Sequence, residues 1–158
     1  MKLKILAFSL LLALPVLADE GVNAAWKSLQ SLAGDWVGAD GKVHVTYVLV
    51  SGGTAVMETL KPPAPEPEMV TMYHRDGNGL VATHYCSMGN QPRMRASAGD
   101  AKTIRFRFAD ITNQATPDQG HIKDLTITFE DADHITQEWI GVDKGKESAE
   151  VFHWTRKK

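Results

Sequence analysis

His84 and Cys86 stand two residues apart in Thr83-His84-Tyr85-Cys86-Ser87-Met88, a stretch that runs into the turn Gly89-Asn90-Gln91-Pro92 and then Arg93. Residues two apart on a β-strand face the same way, so an imidazole and a thiol would lie side by side there. His74 precedes them across the turn Asp76-Gly77-Asn78-Gly79. If it shares their face, His74, His84 and Cys86 make a three-ligand set of the kind zinc or copper accepts, or a set that a barrel enzyme could use. The same neighbourhood supports a different chemistry. His74, His84, Asn90, Gln91 and Arg93 could hold the head of an otherwise apolar ligand, because binding pockets are mostly apolar with a few placed polar groups. Arg93 would suit an acidic head, a carboxylate or phosphate gripped by two parallel hydrogen bonds. Each residue also has a plainer role: a core histidine with its hydrogen bond satisfied, a cysteine acting as a small hydrophobe, an arginine lying flat on the outer surface.

Other chemistry finds no motif. The sequence contains no Cys-x-x-Cys, His-Glu-x-x-His or Gly-x-Ser-x-Gly, and Asp131 and Asp133 before His134 read as turn residues. Nothing calls for a cofactor, and the balance leans away from an enzyme.

The elements that must position these groups are mostly strands. Trp26, Leu29 and Leu32 recur at spacing three and predict a short helix over 23–32, with Asn23 as its N-cap and Gly34 beyond its end. After it, period-two alternation predicts about ten strands, over 35–38, 42–50, 55–60, 69–74, 80–87, 93–98, 103–108, 124–130, 134–141 and 149–156. Ile104, Phe106 and Phe108 are expected on one face, with Arg105 and Arg107 on the other. In the hairpin that carries the histidines, Val70, Met72 and His74 form one stripe and Leu80, Ala82, His84 and Cys86 another. As the more uniformly apolar pair, these stripes are expected to face the interior, with Tyr73, Thr83 and Tyr85 outside; a one-residue change in turn length would reverse one of them.

Two connections are longer. The stretch 61–68 holds four of the seven prolines, cannot be a central strand, and is expected as a stiff surface loop, either a plain connector or a flap over a barrel mouth. The stretch 110–123, with Asn113, Gln114, Pro117 and Gly120, is a second rim candidate.

The start of the chain reads as an export signal over 1–18: Lys2 and Lys4, then an apolar run to Leu17, with Val16 and Ala18 in the small positions before cleavage. The remaining 19–158 suffices for a single domain. The run is shorter than the roughly twenty residues of a membrane-spanning helix, and no later one is longer. A periplasmic or secreted, soluble protein is therefore expected. The net charge of −2 becomes more negative when Lys2 and Lys4 are lost, and the basic residues are scattered, which argues against nucleic acid as a partner. One cysteine cannot make an internal disulfide, so a packed core must carry stability.

A short helix, then Gly34-Asp35-Trp36 opening the first strand, then an antiparallel meander ending at Arg156 resembles the calycin superfamily of lipocalins and fatty-acid-binding proteins. The resemblance implies an up-and-down β-barrel whose helix covers one end, and makes Trp36 and Arg156 the candidate pair that closes it. Leu32-Ala33-Gly34-Asp35-Trp36-Val37-Gly38, the Gly52-Gly53 turn leading to Val56 and Glu58, and Thr128-Phe129-Glu130-Asp131-Ala132-Asp133-His134 are more specifically similar to small exported bacterial lipocalin-like proteins of unassigned function. Nitrobindin-type haem barrels share the opening Gly-x-Trp-x-Gly, but the Tyr-Pro-Thr-Ile that should follow is missing.

The functional expectation is non-catalytic binding of a small apolar or amphipathic ligand inside the barrel. The alternatives are a barrel enzyme or metal site using His74, His84 and Cys86, and a filled barrel making protein contacts through Tyr85, Met88 and the proline-rich loop.

Overall fold

A computed structural model describes residues 15–97 and 101–158, with side chains from Glu20 onward. The end of the expected strand over 93–98 and most of the expected signal lie outside those residues. The chain is all-β: a closed antiparallel up-and-down barrel of ten strands with one N-terminal helix. The helix is α1 (Pro15–Ser31), and the strands are β1 (Gly34–Gly38), β2 (His44–Val50), β3 (Ala55–Lys61), β4 (Met69–Asp76), β5 (Gly79–Tyr85), β6 (Gln91–Ser97), β7 (Thr103–Thr112), β8 (His121–Phe129), β9 (His134–Asp143) and β10 (Lys146–Arg156). Each strand pairs with its neighbours in sequence, and β1 closes the circle against β10 through Trp36↔Arg156, Val37↔Thr155 and Gly38↔Trp154.

Alternation builds the wall. Along β6, Pro92, Met94 and Ala96 are buried while Arg93, Arg95 and Ser97 are exposed. In β3, Val56, Glu58 and Leu60 face inward. The β7 expectation holds for Ile104 and Phe106, but Phe108 is exposed. The register of β6 against β7 shifts at Arg93/Met94, and β7 and β8 pair only as far as Arg107↔Asp124, so Phe108 reaches the splayed end and rests against the His121 ring, with centroids 5.3 Å apart.

The helix begins earlier than its sequence suggests, and the expected cleavage point after Ala18 falls inside it. Val22 and Ala25 extend the stripe of Trp26, Leu29 and Leu32 by a turn, and all five are buried. Asn23 is therefore not a cap. Its Oδ1 accepts a hydrogen bond from Nη1 of Arg75 at 2.6 Å. Further bonds seat α1 on one end of the barrel: Gln30 Nε2 donates to the Gly53 carbonyl at 3.1 Å, and Ser28 Oγ donates to that of Ala101 at 2.8 Å.

Trp36 and Arg156 meet at this end. The Arg156 guanidinium carbon lies 4.2 Å from the centre of the Trp36 ring, and the Trp36 indole N–H donates to the Leu32 carbonyl at 2.8 Å. Three more Arg156 bonds reach the carbonyls of Ala132, Ala33 and Ser31, at 3.0, 2.9 and 2.8 Å. Gly34 has φ of +129°, and a Cβ there would stand 3.2 Å from Nη1 of Arg156, so the glycine makes room for this clamp.

Candidate functional site

Between the helix and mid-barrel the interior is filled, by Trp36, Tyr47, Tyr73, Phe106 and Trp154 among others. Toward the opposite end it opens into a cavity of about 360 Å³, lined by Val43, Glu58, Leu60, Pro62, Pro63, Met69, His84, Cys86, Ile122, Trp139, Glu150 and Phe152. Pro62 and Pro63 bring the proline-rich connection to its rim, and Ile122 adds the last part of the second long connection.

Glu58 is the most unusual member of this lining. It is 1 % exposed, on a stripe otherwise made of Val56 and Leu60. Its Oε2 accepts hydrogen bonds from the Tyr73 hydroxyl at 2.5 Å and from Nε2 of Gln137 at 3.1 Å. The orientation of the Gln137 amide is fixed by its other contacts. Its Oε1 takes the indole N–H of Trp154 at 2.9 Å and of Trp139 at 3.4 Å, and an indole N–H can only donate. The amide NH₂ must then face Glu58 and the Tyr47 hydroxyl, to which it also donates at 3.0 Å. Burial pushes the Glu58 carboxyl up to about 7, and the hydrogen bonds from Tyr73, Gln137 and Tyr47 oppose the rise. Burial, followed by the neighbouring Glu58 charge, raises both tyrosines well above their ordinary value, so each remains a hydroxyl donor.

His84 is 4 % exposed and lies on the same wall. Its Nδ1 is 3.0 Å from the Thr71 hydroxyl, and its ring sits 5.1 Å from that of Trp139. Thr71 and Tyr73 stand two apart on the inward face of β4. Two polar sets thus follow one another from the open end inward, His84 with Thr71 and then Tyr73 with Glu58 and Gln137, through an otherwise apolar surround. Burial lowers the His84 imidazole to about 4, so it is neutral at physiological pH.

The other candidates lie apart from these sets. His74 is exposed and its Nδ1 bonds the Arg75 carbonyl at 2.9 Å; it does not share a face with His84, and the expectation that it would is corrected. The cause is the two-residue turn Gly77-Asn78, which sets Tyr73 opposite Ala82, Thr71 opposite His84 and His74 opposite Val81. Odd-numbered residues of β4 therefore share the interior with even-numbered residues of β5, and Tyr73, expected outside, is fully buried. The set His74, His84 and Cys86 does not assemble. Among the described residues, no group of three or more His, Cys, Asp or Glu is placed to hold a metal ion.

Arg93 is on the outer face, half exposed, and forks onto Asp110 at 2.6 and 2.8 Å. Asn90 is fully buried behind the rim, where Nδ2 donates to the Gly120 carbonyl at 2.8 Å and Oδ1 has no protein partner. Gln91 donates to the Gly89 carbonyl at 3.1 Å and accepts from the Thr112 hydroxyl at 3.2 Å. Both tie rim turns together rather than line the cavity. Tyr85 and Met88 are exposed beside that rim.

Glu58, Gln137, Thr71 and Trp139 were not among the expected site residues. A signal for the first two exists: an acid between Val56 and Leu60, and an amide between Ile135 and Trp139, each on a stripe that should be apolar.

No helix among the described residues is long and apolar enough to cross a membrane. No protein-family model and no curated protein matches the sequence. The ten-strand barrel with its N-terminal helix is consistent with a calycin-like fold.

Proposed function

We propose that this protein is an exported, lipocalin-like carrier that holds a small, largely apolar molecule in the open end of its barrel. The observation that carries the reading is the cavity itself. At about 360 Å³ it has the size of a small-molecule site, and its wall of Leu60, Met69, Ile122, Trp139 and Phe152 is interrupted by few polar groups. Among those groups, Glu58 and His84 are held in place by hydrogen bonds with their own neighbours, which is how orientation is imposed on a guest without reorganising the host. The export half of the proposal rests on Lys2, Lys4, the apolar run behind them and the small residues Val16 and Ala18.

Native mass spectrometry of the protein recovered from its own host tests the binding half. A mass above that of the mature chain, lost on denaturation, is the expected result. An unladen chain that also fails to take up a hydrophobic fluorescent reporter would remove the reading. N-terminal sequencing of the same sample tests export, with Asp19 as the expected first residue.

A further inference from the structure

We propose that the guest of this cavity carries an ammonium group, bound as an ion pair to Glu58, so that the ligand class is an apolar amine rather than a fatty acid or a neutral lipid. This deepens the proposed carrier function and rests on it.

The charge inventory of the cavity is one-sided. Among the described residues its lining holds two carboxyl groups, Glu58 and Glu150, and no lysine or arginine. The one arginine that the sequence offered for an acidic head, Arg93, lies outside the wall and is engaged by Asp110. His84, the remaining lining group that could become positive, has its Nδ1 at the Thr71 hydroxyl and is deprived of water by burial, which disfavours its charged form. A guest carboxylate would therefore face a carboxyl group with no cation to offset it.

The hydrogen bonds at Glu58 have a direction. Tyr73 and Gln137 both donate to it, and the two indole N–H groups on Gln137 Oε1 prevent the amide from turning round. A carboxyl surrounded by donors is built to be an acceptor, which is the role of a carboxylate toward a cation. Both of those bonds fall on Oε2. The group is already out of water in the empty fold, so an arriving ammonium does not have to strip it of water. The rings of Trp139 and Phe152 complete the lining, and aromatic faces attract cations but not anions. Glu150, on the exposed part of β10, adds negative potential at the opening, which favours the approach of a cation.

Octylamine, octan-1-ol and octanoate share one tail and differ only in the head. Their affinities for the full mature chain are to be measured by displacement of a hydrophobic fluorescent reporter at about pH 8, where Glu58 is ionised and octylamine still carries its proton. The expected order is amine, then alcohol, then acid, with the amine at least about tenfold tighter than the alcohol. Glu58→Gln should abolish that gap, bringing octylamine to the affinity that octan-1-ol shows for the same variant. Octan-1-ol or octanoate binding as well as octylamine in the native protein would overturn the ammonium assignment and leave the carrier function standing. Failure of the chain to bind the reporter or any of the three compounds would overturn both. The native comparison does not depend on the variant, so a Glu58→Gln chain that fails to fold leaves the assignment open to refutation.

Discussion

Glu58 and His84 face one cavity with their protonation displaced in opposite directions, the carboxyl keeping its proton up to about pH 7 and the imidazole refusing one down to about pH 4. The consequences for stability oppose each other. Glu58 binds a proton more tightly in the folded state, so its contribution is complete below the ordinary value of 4.5 and is lost as pH rises through about 7. His84 binds its proton less tightly when folded, so its contribution is complete above 6.5 and is lost as pH falls through about 4. Between about 4.5 and 6.5 the two slopes cancel. Each variant should uncover the other's slope: Glu58→Gln should gain stability with rising pH across that window, and His84→Gln should lose it, by roughly 3 kcal/mol over each full titration. Urea denaturation at several pH values reads this directly, and parallel profiles for the native chain and both variants would contradict the buried placement of the pair.

The Arg156 clamp makes a contribution of similar size at the other end of the barrel. Arg156→Ala removes three hydrogen bonds to backbone carbonyls and the contact over Trp36, and should cost about 3 kcal/mol. Arg156→Lys keeps the charge without the fork and should recover less than half of that loss. Melting temperatures of the two variants check it, and equal stability of the lysine variant and the native chain would mean that the fork geometry contributes nothing.

His74→Ala and Arg93→Ala should leave reporter uptake unchanged. His74 is exposed, and the Arg93–Asp110 pair is a half-exposed surface bridge, so neither substitution should shift the melting temperature appreciably. Paired measurements of uptake and melting test this, and a large loss of uptake in either variant would place the binding site outside the cavity.

Cys86 lines the cavity and is only half-buried, which makes it a reporter of occupancy. A bulky maleimide should block reporter uptake, and a bound guest should slow the labelling by at least about threefold. Cys86→Ser should retain uptake, since the thiol is given no chemical role. Equal labelling rates for the empty and occupied protein would show that the guest sits elsewhere.

The architecture was readable because period-two alternation and short turns are local signals: Gly77-Asn78 and the alternating stretch from Ile104 to Phe106 each carry their meaning within a few residues. The site was less readable for two physical reasons. Which face of β4 turns inward depends on the parity of one turn, and an apolarity count misjudges it, because the inward stripe Met69, Thr71 and Tyr73 contains hydroxyl groups that find their partners only inside the closed barrel. Glu58 meets Gln137 across 79 residues of sequence, and Tyr47 meets it across 90, so the arrangement that justifies burying a carboxyl exists only after β3 and β9 have come to opposite sides of one interior. An isolated acid on an apolar stripe was the visible trace.

Because α1 stoppers one end and the filled half-barrel lies behind it, a guest of the proposed carrier has, among the described residues, a single doorway. A resident guest must depart before a newcomer can be seated, so the rate at which one compound replaces another should be set by departure alone and should stay constant however concentrated the challenger becomes.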